Sequence, residues 1–191
     1  MPLVDHEIAM EAARGLITPF EPTQIKRGNV GYGLSCCGYD CRIAGNVKHF
    51  VGGVLDPKRP ERATWQERTY ADNEPITLLP GDFLLARTVE RFAFPRHLMG
   101  QFLGKSTLAR CGLLILATPV EPGWCGYLTL ELVNPLRVGQ IDIYAGQGIG
   151  QMLFWDIAEP DMPYDKRSGA SYQNQEAAPV VARVTGHGRV F

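Results

Sequence analysis

Apolar residues along this chain come in short runs divided by glycine and proline. The strand-sized runs are Ile76 to Leu79, Phe83 to Val89, Leu113 to Thr118, Tyr127 to Val133, Ile141 to Tyr144 and Ile149 to Trp155. With 21 Gly and 14 Pro as punctuation, the pattern predicts an all-β sandwich or barrel with a few short helices. One early helix is predicted, capped by Asp5, carrying Ile8, Ala9, Ala12 and Ala13 as a modest apolar face and ending near Gly15. Pro80-Gly81-Asp82 and Glu121-Pro122-Gly123 read as tight turns. Gly28 to Gly38 and Gly45 to Thr69 have no sustained apolar period and read as long loops. Neither a repeat nor a compositional break divides residues 1–191, so a single domain is expected.

Within Tyr127 to Val133, alternation sends Leu128, Leu130 and Leu132 to one face and Tyr127, Thr129, Glu131 and Val133 to the other. Both faces are largely apolar, so Glu131 is expected to be covered. A covered carboxylate either finds a partner or holds a proton, and in the second case it is suited to proton transfer near neutral pH. The competing explanation is an ion pair with an arginine such as Arg110.

Charge narrows the partners. The 19 Lys and Arg nearly balance the 20 Asp and Glu, which gives no reason to expect a nucleic-acid or membrane-surface partner. Residues 1–13 carry acidic side chains and no signal-like apolar run. Cys36, Cys37, Cys41, Cys111 and Cys125 form an odd set without a regular framework. That suits buried or half-buried reduced thiols and a cytoplasmic location.

Three familiar signals fail. Gly104-Lys105-Ser106 lacks the upstream glycine of a P-loop, because Met99 occupies that position. Gly146 to Gly150 has the wrong glycine spacing for a dinucleotide fingerprint and reads as a turn between strands. None of His6, His49, His97 or His187 has the setting of the zinc-deaminase signature. What remains is Lys105, Ser106, Thr107 and Arg110, two cations and two hydroxyls after a glycine, with Ser106 placed to cap a short helix that stops at Gly112. Such a segment can seat a phosphate or be a solvated turn.

Taken together, these residues resemble the deoxycytidine-triphosphate (dCTP) deaminase family, which is related in fold to the deoxyuridine triphosphatases. The resemblance runs through Gly38-Tyr39-Asp40-Cys41-Arg42, the Leu79 to Glu90 hairpin, Gly104 to Arg110, Glu121-Pro122-Gly123-Trp124, Thr129-Leu130-Glu131, Ile149-Gly150-Gln151 and Ser171 to Gln175. It implies a dUTPase-like distorted β-barrel, assembled as a homotrimer with sites at subunit interfaces, acting on a deoxycytidine nucleotide without zinc. Glu131, Ser106 and Arg110 would be catalytic, with Ser106 and backbone near Ala117 and Thr118 holding the attacking water. Lys105, Ser106, Thr107, Leu108, Ala109 and Arg110 would hold phosphates and ring. Thr118, Glu121, Thr129, Leu130, Gln151, Tyr164 and Gln175 would complete the nucleotide site. Residues 164–191 would form a lid, and magnesium would ride on the triphosphate.

Two positions depart from the family's tail: Ser171 replaces a lysine and Asn174 a glycine. Lys166 or Arg167 are the candidate substitute cations. Asp40 and Glu121 are candidates for activating water at the α-phosphate, but each also has a structural or sugar-binding reading, so release of the deaminated triphosphate without pyrophosphate is the expectation. The tail Val184 to Phe191 matches that of the triphosphatases poorly.

Overall fold

A computed structural model describes residues 1–26, 28, 30–116 and 118–184. The elements are α1 (Asp5–Ala13), β1 (Ile17–Thr18), β2 (Gly33–Ser35), β3 (Gly38–Arg42), β4 (Asn46–Gly53), β5 (Ala63–Thr69), β6 (Pro75–Leu78), β7 (Phe83–Ala93) and β8 (Leu98–Gly104). They continue with α2 (Ser106–Arg110), β9 (Leu114–Leu116), β10 (Pro119–Val120), β11 (Cys125–Val133), β12 (Ile141–Tyr144) and β13 (Gly148–Asp156). The all-β expectation holds. One sheet runs β5-β4-β7-β11-β9 with β1 beside β7, a second runs β10-β8-β13-β3-β2, and β12 pairs with β6.

Both larger sheets feed one core. Tyr39, Phe102, Met152 and Phe154 come from the second sheet, and Leu84, Phe92, Leu130 and Leu132 from the first. Full burial of side chains this size is worth roughly 1.5–3 kcal/mol each before entropy is counted. Between Leu116 and Pro119 the chain leaves one sheet and joins the other, since β9 pairs with β11 while β10 pairs with β8. The predicted run Leu113 to Thr118 is therefore a shorter strand followed by a crossing. Thr118 lies at that crossing; Ala117 is outside the described residues.

Several expectations are corrected. Asp5 is already helical; the cap position is Val4, whose N–H donates to the Glu7 carboxylate at 2.9 Å. Ser106 is likewise the first helical residue of α2, with Lys105 at the cap and no side-chain capping bond. Gly28 to Gly38 contains β2, and Gly45 to Thr69 contains β4 and β5 as an antiparallel pair. Cys36, Cys37 and Cys111 are exposed, while Cys41 is buried and Cys125 half-buried; all five are free thiols. The turns are as read: Asp82 N–H bonds the Leu79 carbonyl at 3.0 Å, Trp124 N–H bonds Glu121 at 3.1 Å, and Gln147 N–H bonds Tyr144 at 3.1 Å.

Candidate active site

β11 is bonded on both edges at the position that matters: Glu131 pairs with Leu85 of β7 on one side and Leu116 of β9 on the other. Its leucines are buried and its odd positions half-buried, as alternation predicts. The half-buried face opens into a cavity of about 660 Å³. Phe83 and Leu85 of β7, Trp65 of β5 and Leu55 make its apolar wall, and Thr118, Glu121, Thr129 and Glu131 supply polar groups.

Glu131 has no ion-pair partner among the described residues, so the Arg110 pairing is not made within this chain. Burial pushes its carboxyl up from 4.5 to about 7, with only its own backbone N–H pulling the other way. Glu121, at the same cavity, is instead fixed by Arg167, whose guanidinium lies 2.7 and 2.9 Å from the two carboxylate oxygens.

The described part of the C-terminal segment closes the cavity with Tyr164, Tyr172, Gln175, Val180 and Ala182. Trp124 donates its indole N–H to the Tyr172 carbonyl at 2.7 Å, and Tyr172 N–H donates to the Tyr164 hydroxyl at 3.0 Å. The Thr129 hydroxyl donates to the Gln175 amide oxygen at 2.8 Å and accepts Val180 N–H at 3.2 Å. Backbone approach seats the strap. Gly123 (φ +82°) turns where a Cβ would strike the Asp165 carboxylate, and at Gly126 (φ +144°) a Cβ would lie 2.6 Å from the Gln175 nitrogen. Asn174 adopts φ +56° and donates its N–H to the Cys125 carbonyl at 2.8 Å. Asparagine is among the few residues that tolerate this left-handed conformation, so it takes the geometry a glycine would. Residues 185–191, including the rest of the tail Val184 to Phe191, lie outside the described residues.

The predicted site thus divides. Glu131, Thr118, Glu121, Thr129, Tyr164 and Gln175 share the cavity, and among the described residues no Lys or Arg lines it. Lys105 is elsewhere: its ammonium is 2.6 Å from Asp40 and bonds the Gly31 carbonyl at 2.9 Å. Ser106, Thr107, Ala109 and Arg110 are exposed on α2. The side chains of Leu108 and Leu130 are buried in the core, which leaves only their backbone groups for a ligand. Gln151, on β13 of the second sheet, donates to the Ser35 hydroxyl at 2.7 Å.

Sequence reasoning missed Trp65, which sits in a stretch read as loop, and Phe83, Leu85 and Tyr172. The signal available for Phe83 and Leu85 was their place on alternate positions of a strand beside the one bearing Glu131. Among the described residues no three His, Cys, Asp or Glu side chains converge. The carboxylates of Asp40 and Glu121 are already ion-paired. Among the described residues, no helix is long and apolar enough to cross a membrane.

Comparison with known proteins gives a consistent result. The profile of a family described as dCTP deaminase-like matches residues 3–157. A dCTP deaminase of Herpetosiphon aurantiacus is 42% identical over 172 residues, spanning 87% of this chain and 90% of that protein. One from Roseiflexus castenholzii is 40% identical over 166 residues, spanning 84% and 87%. In fold, the chain resembles the crystal structure of 2'-deoxycytidine 5'-triphosphate deaminase from Agrobacterium tumefaciens, with a TM-score of 0.61 at 17% identity. That match covers 80% of this chain and 47% of the other.

Proposed function

This chain belongs to the dCTP deaminase-like family, and on that footing we propose that it hydrolyses dCTP to dUTP and ammonia, with Glu131 moving the protons. The observation that carries the proposal is the unpaired Glu131 carboxyl, raised to about 7 in a cavity of about 660 Å³. Attack of water at C4 of cytosine needs a base to take a proton from the water. It then needs an acid to protonate N3 and, later, the departing ammonia. A carboxyl poised near neutrality serves as each in turn. Phe83, Leu85 and Trp65 keep bulk water from the reacting ring, and Thr118 and Glu121 meet the deoxyribose.

In this reading Ser106 and Arg110 reach the site from a second copy, and the assembly is a homotrimer. Two facts support this: Ser106 and Arg110 are exposed away from the cavity, and among the described residues the walls around Glu131 carry carboxylates but no cation for a triphosphate. Mixing two strongly impaired variants tests it. Glu131→Gln and Arg110→Ala subunits, dissociated and reassembled together, should regain up to about a quarter of wild-type turnover, because random assembly of a closed ring leaves that share of interfaces with both native groups. No recovery from reassembled mixtures counts against a shared site.

Magnesium arrives on the triphosphate, neutralising part of its charge, with no protein cage of its own. We place the protein in the cytoplasm, which fits five free cysteines. The direct test is incubation with dCTP and magnesium in the presence of a zinc chelator, followed by chromatography of the base and a phosphorus spectrum. The expected products are dUTP and ammonia, with no pyrophosphate. Loss of activity restored only by zinc would overturn the acid–base chemistry. Stoichiometric pyrophosphate and dUMP from the first turnovers would establish a combined deaminase and diphosphohydrolase.

A further inference from the structure

The cavity presents a charge problem that its own walls do not solve. Glu121 and Glu131 are among its lining residues, and among the described residues no Lys or Arg is. Phosphate oxygens are held by charge-assisted bonds, preferentially from guanidinium groups that can offer two parallel donors. The strap over the cavity is therefore the place to look for a cation belonging to this chain. Arg167, which holds a residue that lines the cavity, is spent on Glu121, with both carboxylate oxygens within 2.9 Å.

Arg183 is different. It follows Ala182, which lines the cavity. Its backbone N–H donates to the Tyr172 hydroxyl at 3.2 Å, and its guanidinium donates to the Ser171 carbonyl at 3.0 Å. The Ser171 carbonyl is neutral, and among the described residues no carboxylate pairs with Arg183, so the positive charge is oriented without being cancelled. Tyr172 ties this arrangement to the cavity from the other side, because its carbonyl accepts the Trp124 indole N–H at 2.7 Å. One exposed arginine is thus held by two bonds against the same tyrosine and serine stretch that closes the site.

We propose that Arg183 is a substrate-binding residue that holds the terminal phosphates of the nucleotide, setting affinity for the triphosphate without touching the reacting ring. The inference rests on the dCTP reading of the cavity. It adds a cation contributed from this chain's own strap, beside those that α2 of a second copy brings.

Steady-state kinetics on dCTP decide it. Loss of one charge-assisted contact should raise the KM of Arg183→Ala about tenfold while kcat stays within about twofold of wild type. Arg183→Lys should recover most of the affinity, and Arg183→Glu should be worse than alanine because it adds repulsion. Melting temperature and assembly should be unchanged in all three, since the side chain is exposed. An unchanged KM in Arg183→Ala overturns the proposal. So does a lysine variant no better than alanine, or a fall in kcat of the same size as the rise in KM, each of which would mark a structural role for the strap. If wild-type protein fails to turn over dCTP, the underlying reading falls instead, and the wild-type arm of the experiment shows that separately.

Discussion

Glu131→Gln should lower turnover of dCTP by about 10³-fold or more while the nucleotide still binds. Glutamine keeps the shape of the side chain and one acceptor oxygen, but it neither takes a proton from water nor delivers one to the ring. The pH dependence carries the same argument with a sign. Burial lifts the carboxyl from 4.5 to about 7, and an arginine brought alongside favours the ionised form and lowers it again. Activity should therefore rise with pH along an acid limb, and in Arg110→Ala that limb should shift up toward about 7. A limb in the same place in both proteins would remove Arg110 from the vicinity of Glu131.

Stability should respond in the matching direction. A folded-state value above the unfolded one gives a contribution that is fully present below about 4.5 and lost as pH rises through about 7. In the Arg110→Ala background at pH 8, adding Glu131→Gln should thus stabilise by on the order of 2–3 kcal/mol, with the gain fading toward pH 4. The half-buried position of Glu131 leaves it some solvent screening, which keeps the figure at the lower end.

How much of this could be read in advance follows from what each segment buries. β7, β11, β12 and β13 were legible because their inward faces are continuous apolar sets, such as Leu128, Leu130 and Leu132. β4 and β5 were not. Lys48, Gln66, Glu67 and Arg68 are polar, His49 is a polar side chain turned inward, and the Gly52-Gly53 pair that ends β4 reads as continuous with the true loop at Asp56-Pro57. β8 hides behind its glycines: at Gly100 a Cβ would meet the Phe94 ring and the Met152 sulfur, so packing demands a residue that local propensity disfavours in a strand.

The site shows the same division. Glu131 was exposed to inference because a lone carboxylate in an apolar alternation needs a reason. Leu130 was assigned by its place in a motif, although the same alternation had already turned it into the core. Leu108 repeats that lesson on α2, where two residues, about half a helix turn, separate a buried leucine from the exposed Arg110. Lys105 read as a phosphate cation because nothing in the sequence pairs it with Asp40; that contact depends on the sheet placing β3 one strand away from the end of β8, across β13.

The largest expected loss of stability lies away from the cavity, at Glu90. Its side chain is fully buried on β7, where one oxygen accepts the Arg42 Nε–H at 2.7 Å and the other the Arg42 backbone N–H at 2.9 Å. Arg42 ends β3, so this pair joins the two sheets, and its guanidinium also lies over the Tyr32 ring at 4.6 Å. Burial pushes the Glu90 carboxyl up and Arg42 draws it down without fully offsetting that push. Glu90→Ala strands the arginine and its N–H and leaves a void, which should cost about 3–5 kcal/mol. The urea midpoint would fall accordingly. Replacing both partners, as in Glu90→Met with Arg42→Leu, removes the desolvated charges together and should recover much of that loss. The double variant also separates stability from chemistry. Phe83 and Leu85 sit on the same strand as Glu90 and wall in Glu131, so if the pair acts only as a clamp between sheets, the repacked protein should deaminate at close to the wild-type rate. A double variant that is as stable as wild type but slow would instead show that the ion pair sets the position of β7 beside Glu131.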